Sequence, residues 1–393
     1  MLDVITFALL RAGGVLHQRL GALLLAARRA GGRLGPLAVV PYHGYGTATA
    51  VGLKGRVLER SGLTPATDHD SVWRNLANSL RRFTAAPIPD AEVVARLAGA
   101  AVTAATDPEG YFRLDLIPAA PLPATGWHDA EVELCGPAAR RAARARARVL
   151  VPPPSAEVVV ISDLDDTVLR SGVTNLLLAA RLAFLHNAHT RSPFQGVSAF
   201  YAALHAGRDG QRANPVFYVS SSPWNLYDLL ADFLRLNEIL EGPLLLRAWG
   251  LDADARPTGG HLEHKLSHIR AILTTYPALD AVLIGDSGQH DPEVYARVVE
   301  DFPGRVRAIY IRDVTVTSRD DEVASIAAKV QAAGVPFLAV ADTSAAARHA
   351  RSAGLIAGEA VPAVDRERAR DASGPLASTR SAGRRLLDPG SSG

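Results

Sequence analysis

Five short apolar runs in the second part of the chain restrict its fold more than any other feature. They are 157–162 (EVVVIS), 215–220 (PVFYVS), 281–285 (AVLIG), 306–311 (VRAIYI) and 336–340 (PFLAV). None alternates regularly between apolar and polar, so each predicts a strand covered on both faces, as in a parallel sheet. Stretches with helical spacing separate them, such as Trp224–Leu234 and Leu262–Thr274. Strand and helix in alternation predict an α/β domain with a doubly wound parallel sheet. Ligands of such sheets bind at the carboxyl ends of the strands, and most notable polar residues here follow these runs directly.

The first part follows another grammar. Thr47–Glu59, Gly110–Leu116 and Ala130–Leu134 alternate apolar with polar residues, as half-buried strands do. The segment 106–112 (TDPEGYF) predicts a tight turn between two strands. A small antiparallel β-sandwich is expected over 36–151, with helical inserts near 71–83 and 90–98. Pro152, Pro153 and Pro154 then form a stiff boundary. The region 1–35 predicts an amphipathic helix: Leu2, Ile5, Leu9, Leu16, Leu20 and Leu23 share an arc at about 100° per residue, with Arg11, Gln18 and Arg29 opposite. That face suits packing on the protein itself or lying on a membrane surface. The tail, 364–393, is rich in Arg, Ser, Gly and Asp and is expected to be disordered.

Composition excludes several classes. A net charge of +2 is too small to argue for nucleic acid. No run of 18 apolar residues exists, so no transmembrane segment is expected, and the chain reads as cytoplasmic. The single cysteine, Cys135, forms no internal disulfide and reads as a buried, inert thiol.

The chemistry concentrates at four places. The first run leads into Asp163-Leu164-Asp165-Asp166-Thr167. Carboxylates crowded at a strand end repel one another, and oxygen ligands of this kind suit Mg²⁺; helix capping is the plainer alternative. The second run ends in Ser220-Ser221-Ser222 before Pro223-Trp224-Asn225, a hydroxyl and a helix start that could seat a phosphate or form an ordinary turn. The third is Lys265, on a helix, where a lone lysine ordinarily faces solvent. The fourth is Asp286 to Asp291, acidic again after an apolar run, where both carboxylates could complete a metal site with Asp163 and Asp165 or form an ordinary acidic turn.

In this order the four resemble the motifs of haloacid dehalogenase (HAD)-type phosphatases. The segments DLDDTV, TRSPFQGV, FYVSSSPWNLY, GDSGQHDPEVY and IYIRDV resemble one branch more closely: the catalytic domain of actin-patch-associated phosphatidate phosphatases and their bacterial relatives. The resemblance implies a HAD-like catalytic domain over 155–363 and a role for each matching residue. Asp163 is the nucleophile and Asp165 the general acid, then base. Ser220 binds phosphoryl oxygens and Lys265 neutralises their charge. Asp163, Asp165, Asp286 and Asp291 hold Mg²⁺. Thr167, Ser221, Asn225 and Arg191 are further substrate-binding candidates. The stretch 171–214 corresponds to a small helical cap insertion, although its Leu and Phe content fits ordinary helix packing equally. The expected reaction is phosphatidate to diacylglycerol and phosphate through an aspartyl-phosphate, on a phospholipid met by peripheral membrane contact. A phosphatase of a soluble metabolite, and a lipid- or protein-binding module with a vestigial site, are the alternatives.

Overall fold

The computed structural model describes residues 35–59, 86–123, 126–135, 143–164, 195–247, 260–313 and 319–373. The N-terminal helix, the insert near 71–83, Asp165, Thr167, Arg191 and the expected cap up to residue 194 lie outside them.

Eight described strands precede the prolines: β1 (Leu37–Pro41), β2 (Gly44–Gly46), β3 (Val51–Glu59), β4 (Glu92–Leu97), β5 (Ala100–Ala105), β6 (Tyr111–Leu116), β7 (Gly126–Cys135) and β8 (Arg144–Val151). Then follow β9 (Val158–Asp163), α1 (Val197–Ala206), β10 (Val216–Pro223), a 3₁₀ turn (Trp224–Leu226), α2 (Tyr227–Leu236), β11 (Leu244–Arg247), α3 (Gly260–Thr275), β12 (Asp280–Asp286), α4 (Asp291–Asp301), β13 (Val306–Arg312), α5 (Asp320–Ala332), β14 (Phe337–Val340), α6 (Thr343–Ser352) and α7 (Val361–Ser373). The chain is thus α/β.

Two compact units interleave along the chain. Within the first, β1 pairs antiparallel with β3, and β4 lies between β5 and β7, antiparallel to both. The helix expected near 90–98 is therefore strand β4. Val93 and Val94 are β-branched, and both edges of β4 find a partner, which outweighs the local preference of Ala91–Ala95. The turn at 106–112 is present. The Asp107 carboxylate accepts from Glu109 N (2.8 Å) and Tyr111 N (2.9 Å), and Gly110 takes a φ of 80°. Cys135 is half-buried rather than buried.

The second unit is built on a six-stranded sheet in the order β11-β10-β9-β12-β13-β14, with every pair parallel. β11 was not anticipated: it is four residues long, at the sheet edge, and its Leu244-Leu245-Leu246 core lacks β-branching. Side chains alternate across the sheet. Val159, Ile161, Phe217, Leu283, Ile309 and Ile311 pack on Leu266 and Ile269 of α3, Val294 and Val298 of α4, and Val323 and Val330 of α5. On the other face Tyr201 and Phe200 of α1 meet Tyr218 and Tyr310, with ring centroids 6.1 and 5.7 Å apart. α1, the helix in the described part (195–214) of the expected cap stretch, is therefore a packed layer of the core. Buried Asn214 ties it to the sheet: its side chain accepts from Glu157 N (2.9 Å) and Val158 N (3.2 Å) and donates to Leu204 O (2.8 Å).

A piece of the N-terminal sequence belongs to this unit. Tyr42 stacks on Trp224 (4.8 Å) and leans on Tyr227 (4.3 Å), while His43 N donates to Tyr227 Oη (2.9 Å). β2 pairs in parallel with the end of β8, and Tyr276 Oη donates to Gly46 O (3.1 Å). At the other end, α7 runs to Ser373, so residues 364–373 are helical rather than part of a disordered tail. Among the described residues no helix is long and apolar enough to cross a membrane.

Candidate active site

Three of the parallel strands carry polar side chains in their last residues: β9 ends at Asp163, β12 ends at Asp286, and β10 passes through Ser220–Ser222 to end at Pro223. β9 is central and pairs with both β10 and β12, which brings these ends together.

Asp286 is held by the turn it starts: its Oδ1 accepts from Gly288 N (2.7 Å) and Gln289 N (3.1 Å). Asp291, the first residue of α4, points back, and its Oδ2 accepts from Asp286 N (3.0 Å). A carboxylate in the first turn also suits the positive end of the helix dipole. Its return path crosses Gly285. A Cβ there would stand 2.5 Å from Asp291 Oδ2 and 2.7 Å from Asp291 Cβ, so only glycine leaves the room.

Lys265 approaches from α3. Its Nζ lies 2.6 Å from Asp163 Oδ1 and 2.8 Å from Asp291 Oδ1, and it donates to Gln289 Oε1 at 3.3 Å. The three charged side chains are almost inaccessible, at 5% for Lys265, 4% for Asp163 and 0% for Asp291. A helical lysine is ordinarily solvated; this one is buried because two carboxylates sit at the sheet edge beneath it. One oxygen from each of Asp163, Asp286 and Asp291 falls within a 4.8 Å cluster. Three carboxylates against one ammonium leave a negative excess in a desolvated place. Such an excess, presented by oxygens alone, fits a hard divalent cation.

Ser220 and Ser221 are both buried beside this cluster, on the strand whose Val219 is in register with Asp163. Ser220 Oγ accepts from Ser222 N (3.0 Å), which sets the turn into Trp224. Asn225 lies in the 3₁₀ turn that follows. The structure thus assembles Asp163, Lys265, Asp286 and Asp291, with Ser220 and Ser221 on the neighbouring strand end.

Sequence reading passed over several neighbours. A cavity of about 140 Å³ opens behind the cluster, with Asp163, Asp286 and Arg312 at its strand-end side and Phe200, Tyr201 and Tyr310 in its wall. Tyr201 Oη and Ser162 Oγ share a 2.6 Å hydrogen bond one residue before Asp163. Burial pushes the Tyr201 phenol up to about 12, against the pull of that hydrogen bond, so it stays protonated at neutral pH. Arg312 could have been found by the strand-end rule, since it ends its apolar run as Asp163 does.

Residues 158–313 match the family described as "Phosphatidate phosphatase APP1, catalytic domain". Phosphatidate phosphatase APP1 of Saccharomyces cerevisiae is 33% identical over 170 residues, 42% of this chain and 28% of that protein. An uncharacterised protein of Schizosaccharomyces pombe, C29B5.04c, is 28% identical over 160 residues, 40% of this chain and 25% of the relative. The chain thus spans roughly a quarter of the length of these relatives. Among solved structures, a carbohydrate acetylesterase from Xanthomonas citri, XAC1771, aligns over 74% of this chain and 72% of its own at 12% identity and a TM-score of 0.25. The segment that holds Asp163, Ser220, Lys265, Asp286 and Asp291 is the one that matches, and over it the chain is similar to a phosphatidate phosphatase catalytic domain of the APP1 type.

Proposed function

We propose that the chain is a Mg²⁺-dependent phosphatase on a HAD-like core, preceded by a small β-sandwich, that hydrolyses phosphatidate to diacylglycerol through an aspartyl-phosphate on Asp163. The observation that carries this reading is the buried Asp163–Lys265–Asp291 contact, 2.6 and 2.8 Å, inside the segment that matches the APP1 family. An attacking carboxylate must be ionised and held still. Lys265 does both for Asp163, and its charge is in place to meet the phosphoryl oxygens as they approach. Ser220 and Ser221 would bind those oxygens from β10. Asp165 would protonate the leaving oxygen and then take a proton from water; it lies outside the described residues. Asp163, Asp286 and Asp291, with Asp165, would hold Mg²⁺, which when bound would supply a positive charge against the transferring phosphoryl group. The enzyme would be cytoplasmic and would visit the bilayer peripherally.

The test is phosphate release by the full chain with Mg²⁺, across phosphatidate vesicles and a panel of soluble phosphate monoesters. Release from phosphatidate, abolished by EDTA and restored by Mg²⁺, is the expected result. Release from soluble esters alone would move the substrate to a metabolite. No release from any of them, or full activity in chelator with metal shown to be absent, would overturn the reading.

A further inference from the structure

We infer that Arg312 is a second cation of the site and binds the phosphate group of the substrate from the face of the sheet opposite Lys265; the inference rests on the phosphatase reading above. Arg312 ends β13, directly in register with Asp286 of β12. β12 is in turn in register with β9, so two strand spacings, roughly 10 Å, separate the Arg312 backbone from that of Asp163. An extended arginine side chain covers most of that gap. Alternation fixes the side from which it comes. Ile311 packs in the core with α3 and α4, whereas Tyr310, two residues before Arg312, meets Phe200 of α1 on the other face. Lys265 reaches the cluster from α3. The two cations therefore approach the same strand ends from opposite faces.

Arg312, Asp163 and Asp286 line one cavity. Tyr201, in that cavity, has its proton affinity set first by burial, then by the Ser162 hydrogen bond, by Asp163, which raises it, and by Arg312, which lowers it. Both charges are thus felt at one hydroxyl. Electrostatics supply the need. Three carboxylates already outnumber Lys265, which two of them engage. Bound Mg²⁺ would offset that excess, and an incoming phosphate dianion would restore it; a planar guanidinium answers the dianion with paired N–H donors matched to phosphate oxygens.

The test is calorimetric titration of inorganic phosphate into Mg²⁺-loaded full-length protein, with Arg312→Gln and Arg312→Lys compared against the unaltered chain. Melting temperatures in phosphate-free buffer and turnover of a phosphate ester are measured alongside. Losing a charged pair of hydrogen bonds should weaken phosphate binding by Arg312→Gln by about 10- to 100-fold. The melting temperature should hold, KM should rise more than kcat falls, Arg312→Lys should recover part of the binding, and added guanidinium should rescue Arg312→Gln. Phosphate bound as tightly by Arg312→Gln as by the unaltered chain, beside normal turnover, refutes the assignment of Arg312 alone. A weakened affinity that tracks a fallen melting temperature, with no rescue, refutes it as well, because Arg312 would then be structural. An unaltered chain that neither turns over an ester nor binds phosphate takes the phosphatase reading down with it.

Discussion

Replacing Lys265 with methionine probes the centre of the site without asking whether it is active. The side chain keeps its length and loses its charge. Asp163 and Asp291 would then stand at 4% and 0% exposure without the ammonium that lies 2.6 and 2.8 Å away. Removing one partner of a buried ion pair costs about 3–5 kcal/mol, because the remaining charge is left desolvated. A folding unit of this size loses about 2–4 °C of melting temperature per kcal/mol, which converts the penalty to roughly 6–20 °C. The assay is thermal unfolding in metal-free buffer, followed by far-UV circular dichroism. If the cost is uncompensated charge, deleting one carboxylate should return part of it, so Asp163→Asn combined with Lys265→Met should melt above Lys265→Met alone. Saturating Mg²⁺ should also raise the single variant by binding its folded state. A Lys265→Met protein that melts within about 2 °C of the unaltered chain would refute the burial and pairing argument.

Three further outcomes are expected. Asp163→Asn keeps the shape of the nucleophile and removes its negative charge, so phosphate release should fall at least about 10³-fold, a few kcal/mol of barrier; near-normal turnover would rule out an aspartyl-phosphate at this position. Gly285→Val would drive a side chain into Asp291, whose Oδ2 stands 2.5 Å from the nearest possible Cβ. The displacement should cost about 1–3 kcal/mol of stability and most of the activity, and an unchanged melting curve and rate would contradict the packing. Alkali should unfold the protein cooperatively. Burial raises Tyr201 to about 12 and also raises Tyr218, Tyr227 and Tyr295, so the native state keeps protons that the unfolded chain gives up near 10. Their contribution is complete below pH 10 and is lost as pH rises from 10 through 12. Phenolate absorbance should therefore appear together with loss of circular dichroism, and free titration near pH 10 in a still-folded protein would count against it.

Much of the parallel sheet was legible in the chain because strands covered on both faces must be apolar throughout. All five Val- and Ile-rich runs became strands; Asp163 and Asp286 end theirs, and Ser220 lies in the last half of β10. The candidate site was legible for the same reason, since a strand that ends in a carboxylate or hydroxyl delivers it to a shared edge. Three things lay beyond the reach of local pattern. β4 looked helical until its two partner strands were in place, because strand pairing is a non-local term that can override propensity. Tyr42 gave no sign of belonging with Trp224, which lies far along the chain, yet the two stack at 4.8 Å. The burial of Lys265 depends on Asp163 and Asp291 converging beneath α3. Local pattern determines which residues can be strand, helix or turn and which chemical groups end them. Which groups meet, which faces they come from and how much water they lose depend on distances between residues far apart in sequence, and only the folded chain sets those.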